Sequence, residues 1–382
     1  MSEENQHTLK IRIPEGFLVP RLYLYSFLNI VEASKKEVGQ YVILRNGDVF
    51  EAIIEGMEIV KEVIENRRKD DLLRKLRLDT LPMSGNDKRI FMKLCSELSC
   101  ELDPAKILEA YIDVLRSRGI SRLKEGLERF DIGAEGYSLP SIFKLELYGL
   151  TRGSFFRDGF SIDSMMRVSS DFFVLMLAGY LLSRVGRARI DERTWASVHV
   201  VPSELAWSRS SWRELQNMLS GLWHGIRPAD ALTLHLLINL WNLLKGEPHN
   251  LIIFGVIDPA GSKPATVSIS VDAPLKDVCM RAGELLDHLL DREWSRNALS
   301  QLVRKALDPN QAGKEIAERL VKLLFLSLQG DVRALEELSL LSSRLEIAAS
   351  TIKQPKDLER EILNMARDAR RLARELLTYR RI

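Results

Sequence analysis

The stretch LIIFGVIDPAGSKPATVSISVDAPL, residues 251–275, marks the change between two kinds of structure in this chain. Two runs rich in β-branched residues, LIIFGVI and ATVSISV, flank the turn sequence DPAGSK. Proline and glycine between two such runs favour a tight connection between paired strands. The stretch therefore predicts a β-hairpin, and the pattern that follows it is purely helical.

The C-terminal part of the chain is predicted to fold as a four-helix bundle. Its helices are expected to occupy residues 275–307, 312–329, 332–349 and 355–382. Short connections between amphipathic segments are typical of a bundle, and Asp308-Pro309 would end the first helix. The second helix is apolar nearly all round, so Leu320, Leu323 and Leu324 should lie in the core.

The residues before the hairpin predict helices mixed with short strands. LKIRI and QYVIL resemble strands, and YLYSFLNIVEASKK between them resembles a helix. Asn46-Gly47 could form a hairpin turn, but Asp48 and Glu51 have capping-box spacing and precede apolar residues at helical intervals, which favours a helix. The fold class is α+β and predominantly α-helical. The expected domains are an α+β domain over 1–135, a helical and β-hairpin domain over 136–274, and the bundle over 275–382.

Composition limits the possible functions. The 382 residues include 55 basic and 53 acidic side chains, so a globally basic nucleic-acid-binding protein is excluded and such a role would need local basic patches. The three cysteines are sparse and odd in number, which indicates reduced thiols and a cytoplasmic protein. The longest uncharged apolar run, residues 231–244, is shorter than the roughly 20 residues of a membrane span.

No local pattern indicates catalysis, and neither a metal nor a cofactor is expected. The phosphate-binding loop G-x-x-x-x-G-K-[ST] and the G-x-S-x-G elbow are both absent. Asp258 follows a strand-like run, as a magnesium-binding aspartate would, but without the phosphate loop we expect a turn residue. His224 is a weak candidate for a loop catalyst, and His235 is expected in the core. A site assembled from distant residues stays an alternative.

The chain ends in ARDARRLARELLTYRRI, residues 366–382, which has six arginines and two acidic residues. On a helix with about 100° per residue, one narrow apolar stripe forms, comprising Leu358, Ile362, Met365, Ala369, Leu372 and Leu376. The opposite arc carries Arg367, Arg370, Arg371, Arg374 and Arg381. Guanidinium groups match phosphates in shape and charge, so this arc predicts contact with nucleic-acid backbone. The alternative is an ordinary solvated helix end.

Other basic residues give weaker signals. Arg184, Arg187 and Arg189 surround Gly186 in a predicted loop, where they could approach phosphates. A polar connection after a buried helix is the favoured reading of that segment. Lys263 lies at the tip of the predicted hairpin and could enter a groove, although a polar turn is the commoner role.

The order of these elements resembles a known protein family. The uncharged helix ALTLHLLINLWNLLKGEPHN leads into the hairpin LIIFGVIDPAGSKPATVSISVDAPL and then into an all-helical end. In this the chain is similar to the large subunit of archaeal type I-A CRISPR interference (Cascade) complexes, over about the last 160 residues. No short diagnostic motif carries the resemblance, so no motif-reading residues are carried over.

The resemblance implies a non-catalytic subunit that binds crRNA and target DNA together with other Cascade subunits. Such a subunit helps to recognise the target and to stabilise the R-loop, and a separate helicase-nuclease cuts. Neither a membrane nor a small-molecule substrate is expected. Two alternatives stay open, a helical scaffold without nucleic-acid contact and a nuclease whose site assembles from distant residues.

Overall fold

The computed structural model describes residues 8–14, 18–45, 47–129, 136–145, 167–190, 194–261, 263–351 and 357–379. Within these ranges helices predominate and the strands form small sheets. The predicted fold class, a predominantly helical α+β protein, is confirmed.

The described residues group into two compact units. Unit 1 contains Met1–Arg187, Ala196–Leu222 and Ile252–Ser270, and unit 2 contains Ala188–Trp195, Trp223–Leu251 and Val271–Ile382. The three consecutive domains expected from the sequence stay a prediction.

The elements follow one another along the chain with short connections. The first part contains β1 (Leu9–Arg12), α1 (Leu18–Leu28), β2 (Ser34–Val38), β3 (Tyr41–Arg45), α2 (Val49–Lys69), α3 (Asp71–Lys75), α4 (Gly85–Leu98), α5 (Pro104–Glu128), β4 (Tyr137–Ser138), β5 (Arg167–Val168), α6 (Ser170–Ser183), β6 (Arg184–Arg189), β7 (Trp195–Pro202), α7 (Arg209–Leu219) and β8 (Gly221–Trp223). The second contains α8 (Ala229–Leu244), β9 (Leu251–Ile257), β10 (Thr266–Ala273), α9 (Leu275–Leu290), α10 (Glu293–Leu307), α11 (Lys314–Leu328), α12 (Val332–Ser350) and α13 (Asp357–Tyr379).

The strands form three sheets with the orders β1-β3-β2, β4-β5 and β10-β9-β7-β6-β8. Most residues of the five-stranded sheet belong to unit 1. The hairpin predicted from residues 251–275 is confirmed, since β9 and β10 are neighbours in this sheet. A turn between Ala260 and Lys263 connects them, with Gly261 in the left-handed region at φ +59°.

The N-terminal segment differs from its prediction in one place. Asp48 caps α2 by accepting hydrogen bonds from the amides of Phe50 and Glu51, so the choice of a helix after Asn46-Gly47 is confirmed. The helix expected to continue through residues 34–36 ends at Leu28, and the following residues form β2, which pairs with β3. Gly39 makes this possible, because its φ of +59° permits the tight turn between the two strands.

The core of unit 1 is built around α6, every residue of which is buried. α6 packs against α1, and the approach is closest at Gly179. A Cβ atom at this position would lie 1.7 Å from the carbonyl oxygen of Tyr23. The absence of a side chain at Gly179 therefore sets the distance between the two helices.

Gly179→Ala is expected to lower the free energy of unfolding by about 1–3 kcal/mol, because the backbone of Tyr23 would have to move. Gly283→Ala is the matched control, since Gly283 is also helical and an added Cβ would meet nothing within 4 Å. This control should be neutral or stabilising by up to about 1 kcal/mol. Denaturant unfolding of both variants provides the test, and equal midpoints would contradict the close approach.

The C-terminal helices of unit 2 number five rather than the four predicted, over the described part of residues 275–382. The expected first helix, 275–307, is interrupted at Arg292, whose backbone is extended. The Ser295 hydroxyl donates to the carbonyl oxygens of Leu289 and Arg292, which stabilises the break. One extended residue hardly disturbs apolar periodicity, so the sequence pattern did not reveal it.

The core of these helices otherwise follows the prediction. Leu320, Leu323 and Leu324 of α11 are all buried, as expected. Along α13, the predicted stripe is buried at four positions, Met365, Ala369, Leu372 and Leu376. Ile362 is half-buried and Leu358 is 42% exposed, so burial is incomplete at this end of the stripe. Both side chains still lie on the same side as Met365, beside Gly313, as the stripe predicts.

Candidate nucleic-acid interface

One face of α13 carries a row of arginines, which we call the arginine face. It consists of Arg367, Arg370, Arg371 and Arg374, of which Arg370 is half-buried and the others are exposed. The buried residues of α13 lie on the opposite side, so packing directs this face outward. Arg360 is also exposed and lies seven residues before Arg367, which puts it on the same face. The sequence analysis missed Arg360, although its helical spacing was visible.

The sequence suggested that the arginine face is free of negative charge, but the structure places a carboxylate beside it. Glu346 of α12 accepts a hydrogen bond from Arg370 at 2.6 Å and lies 3.6 Å from Nε of Arg367. The hydrogen bond from Arg370 lowers the pKa of this carboxyl group, and the charges of both arginines act in the same direction. Glu346 therefore offsets part of the positive charge at two of the four positions.

The other two arginines have different surroundings. The guanidinium carbon of Arg371 lies over the indole ring of Trp294, 4.3 Å from its centroid. Arg374 makes no ion pair with a carboxylate in the part of the chain that the structure describes. Glu375, the next residue along α13, is bound by Arg292 at 2.6 Å. Arg371 and Arg374 are therefore the arginines best placed to meet an external anion.

Arg184 occupies a quite different environment, in the core of unit 1. Its exposed fraction is 1%, and one terminal nitrogen donates to the carbonyl oxygens of Arg77 and Thr80, both at 2.8 Å. Its other terminal nitrogen donates to the Ser197 hydroxyl at 3.0 Å and to Asp258 at 3.2 Å. Arg184 is thus not placed to contact a phosphate, and we remove it from the candidate set.

The segment around Arg184 was predicted to be a loop, and this was wrong. Residues 184–189 form β6, a strand between β7 and β8. Distant groups satisfy the guanidinium of Arg184, which allows an arginine to sit in a buried strand. Arg187 is half-buried and lies 3.7 Å from Asp258, and burial lowers the pKa of its guanidinium. Arg189 is exposed and stacks over Trp195 at 5.2 Å.

Comparison of the sequence with known protein families identifies the family of this chain. The family model for the CRISPR-associated protein CsaX matches residues 48–346, which is most of the chain. The chain belongs to the CsaX family of CRISPR-associated proteins. A search of curated proteins finds no match.

The CsaX match confirms the family resemblance only at its coarser level, a CRISPR-associated protein. α13 begins at Asp357, beyond the matched residues, whereas Glu346 and Trp294 lie within them. The case for the arginine face therefore rests on its own geometry. Trp294 and Glu346 come from other helices and left no local signal in the sequence.

The remaining basic candidates of this CsaX-family chain are scattered. Lys263 is exposed in the turn between β9 and β10, as predicted. Arg381 lies outside the described residues. Of the predicted set, the structure brings together the four positions of the arginine face and, separately, Arg184 and Arg187 around Asp258.

The weak catalytic candidates have different surroundings, Asp258 in unit 1 and the two histidines in unit 2. Asp258 lies in the connection between β9 and β10, as expected, and its carboxylate also accepts hydrogen bonds from Ser197 at 2.8 and 2.9 Å and from Arg184. His224 is exposed beside Arg304 and Asp308, and partial burial lowers its pKa. His235 is half-buried, and burial lowers its pKa to about 4.

No group of three or more histidine, cysteine, aspartate or glutamate side chains is arranged to hold a metal ion within the described residues. Among the helices that the structure describes, none combines the length and apolarity needed to cross a membrane.

Proposed function

We propose that this chain is the non-catalytic large subunit of a type I-A CRISPR interference complex. In this role it binds crRNA and target DNA alongside other Cascade subunits and helps to stabilise the R-loop. Membership of the CsaX family supports a role in a CRISPR system. The type of complex and the nucleic-acid contact are the parts that we add.

The observation that carries the nucleic-acid contact is the arginine face of α13. Four guanidinium groups within about 100° of a rigid helix are spaced to follow a phosphate backbone. Glu346 is the carboxylate that forms ion pairs with this face in the described structure, and the carboxyl group of Asp368 also interacts electrostatically with Arg371. Two carboxylates beside four arginines leave a surplus of positive charge, as a phosphate-binding surface requires.

The direct test is binding of the full-length protein to nucleic acid across a salt series. Each contacted phosphate releases condensed counterions, so four contacts should give a slope of log affinity against log salt of about −3. The slope should be similar for unrelated sequences, because phosphates carry no sequence information. Binding that does not depend on salt, or no binding either alone or in the assembled complex, would favour a scaffold role instead.

Glu346→Gln is expected to strengthen nucleic-acid binding. The substitution removes the carboxylate that competes with phosphate for Arg367 and Arg370, while glutamine keeps the size and helix propensity of the side chain. We expect a several-fold gain in affinity at low salt and a steeper salt slope. The control is Glu337→Gln, also on α12, which removes a carboxylate paired instead with Arg319. Equal effects of the two changes would contradict a special role for Glu346.

The pure protein is expected to show no turnover of DNA, RNA or ATP, with or without divalent metal. The reason is that the described residues contain no local catalytic constellation or metal cluster. The assay follows product formation under multiple-turnover conditions, with His224→Ala and Asp258→Asn as the first variants. Metal-dependent turnover that one of these substitutions abolished would contradict a non-catalytic subunit.

A further inference from the structure

The stacked pair Arg371 and Trp294 differs from the rest of the arginine face. Trp294 lies on α10 and is half-buried, while Arg371 on α13 is exposed. The two helices run antiparallel here, since Arg292 bonds Glu375 near one end and Lys305 bonds Glu361 near the other. The indole thus comes from a second helix and forms a floor under one arginine.

The indole of Trp294, which we call the aromatic floor, restricts the conformations of the Arg371 side chain. A guanidinium over an aromatic ring is attracted by the electron-rich ring face, which limits the rotation of a side chain that is otherwise very flexible. The Arg371 guanidinium carbon lies 4.3 Å from the centroid of the indole, and the residue is exposed to solvent. The carboxyl group of Asp368 also interacts electrostatically with Arg371. The result is a positioned planar cation that an external group can reach.

Arg374 provides the contrast one turn further along. It is exposed, it has no aromatic neighbour among the described cation–π contacts, and it pairs with no described carboxylate. Arg374 is suited to contact phosphate through its N–H groups, and a lysine there would supply the same charge. At Arg371 the planar shape matters as well as the charge.

We propose that Arg371, supported by Trp294, stacks against an unpaired nucleobase. Guanidinium planes and aromatic rings are the groups on which proteins stack splayed bases, whereas bases inside a duplex stack on one another and are not available. Phosphates held by Arg367, Arg370 and Arg374 would place the adjacent base over Arg371. The inference rests on the proposed function and adds a preference for single strands.

The test separates charge from planarity by comparing Arg371→Lys with Arg374→Lys. Both variants keep the positive charge, so the salt slope should stay unchanged. The probes are two oligonucleotides of equal length, oligo-dT and a backbone whose bases are all replaced by abasic sites, with oligo-U as the RNA probe. Binding of the full-length protein is measured by fluorescence anisotropy.

We expect the wild type to bind oligo-dT roughly tenfold more tightly than the abasic strand, the effect of about one stacked base. Arg371→Lys should remove this difference by weakening only the oligo-dT complex, and Arg374→Lys should preserve it. Trp294→Leu should act like Arg371→Lys, because it removes the floor and keeps the charge. Similar affinities for oligo-dT and oligo-U would show that the sugar is not read.

Two results would overturn the inference without touching the proposed function. One is equal, salt-dependent binding of the base-bearing and abasic strands by the wild type. The other is an equal loss of base preference in Arg371→Lys and Arg374→Lys. If the folded protein bound none of the probes, both the proposed function and this inference would be contradicted.

Discussion

Arg184→Met should lower the free energy of unfolding of this protein by about 3–5 kcal/mol, because it removes the buried guanidinium group that binds the surrounding carbonyl oxygens and the Asp258 carboxylate. The change removes the guanidinium donor from the carbonyl oxygens of Arg77 and Thr80, of which that of Arg77 keeps the hydroxyl of Thr80 as a donor. It also leaves Asp258 without its closest guanidinium partner. Methionine fills most of the volume, so the cost reflects the lost hydrogen bonds and charge pairing rather than a large cavity. Denaturant unfolding followed by circular dichroism gives the measurement.

Arg189→Met is the matched control for this prediction. It makes the same chemical change in the same strand, β6, but Arg189 is exposed and its guanidinium lies over the Trp195 ring. Its cost should stay within about 1 kcal/mol. Similar unfolding midpoints for the two variants would show that the position of Arg184 in the core is wrong.

A double-mutant cycle tests the pairing itself. Asp258→Asn alone should also destabilise the protein, since it leaves Arg184 charged and buried without a carboxylate. The combination Arg184→Met with Asp258→Asn should then cost clearly less than the sum of the two single changes. Strict additivity would mean that the two side chains do not interact.

The elements that the sequence predicted correctly are those whose signal is local. The hairpin of residues 251–275 has turn residues between two β-branched runs. The cap at Asp48 is likewise a contact within three residues. Each of these depends on neighbours in the chain, which a single sequence displays.

The elements that the sequence did not predict depend on distant partners. β6 looked like a polar loop because Arg184 is satisfied by the carbonyl oxygens of Arg77 and Thr80, about a hundred residues away in sequence. The arginine face looked uniformly basic because its carboxylate, Glu346, lies on another helix. Trp294, the aromatic floor under Arg371, also comes from a separate helix. No spacing rule connects such residues before the fold is known.

The family resemblance drawn from the order of elements is confirmed as far as a CRISPR-associated protein. That order is a property of the whole fold, and the helix, hairpin and helical end are all present. The role of α13 is a separate matter, because this helix lies outside the matched residues 48–346. The role of α13 therefore has to be tested by direct measurements on variants of its arginines.

A quadruple variant, with Arg367, Arg370, Arg371 and Arg374 all changed to glutamine, should lose most nucleic-acid binding at moderate salt. Each lost phosphate contact removes about 0.7–0.9 from the slope of log affinity against log salt. The fold should survive, because glutamine is a good helix former and the buried residues of α13 are untouched. The loss should be similar for unrelated DNA or RNA sequences.

The control has the same net charge change at exposed arginines elsewhere in the chain, Arg45, Arg116, Arg319 and Arg333. If only the total charge mattered, both quadruple variants would weaken binding equally. The measurement that decides the central claim is the salt slope of nucleic-acid binding by the wild type and these two variants, in the assembled complex if the isolated chain binds too weakly. We expect the slope of the arginine-face variant to be flatter by about 3 while the control variant stays close to the wild type. An unchanged affinity and slope in the arginine-face variant, with folding verified, would show that α13 ends in an ordinary solvated helix.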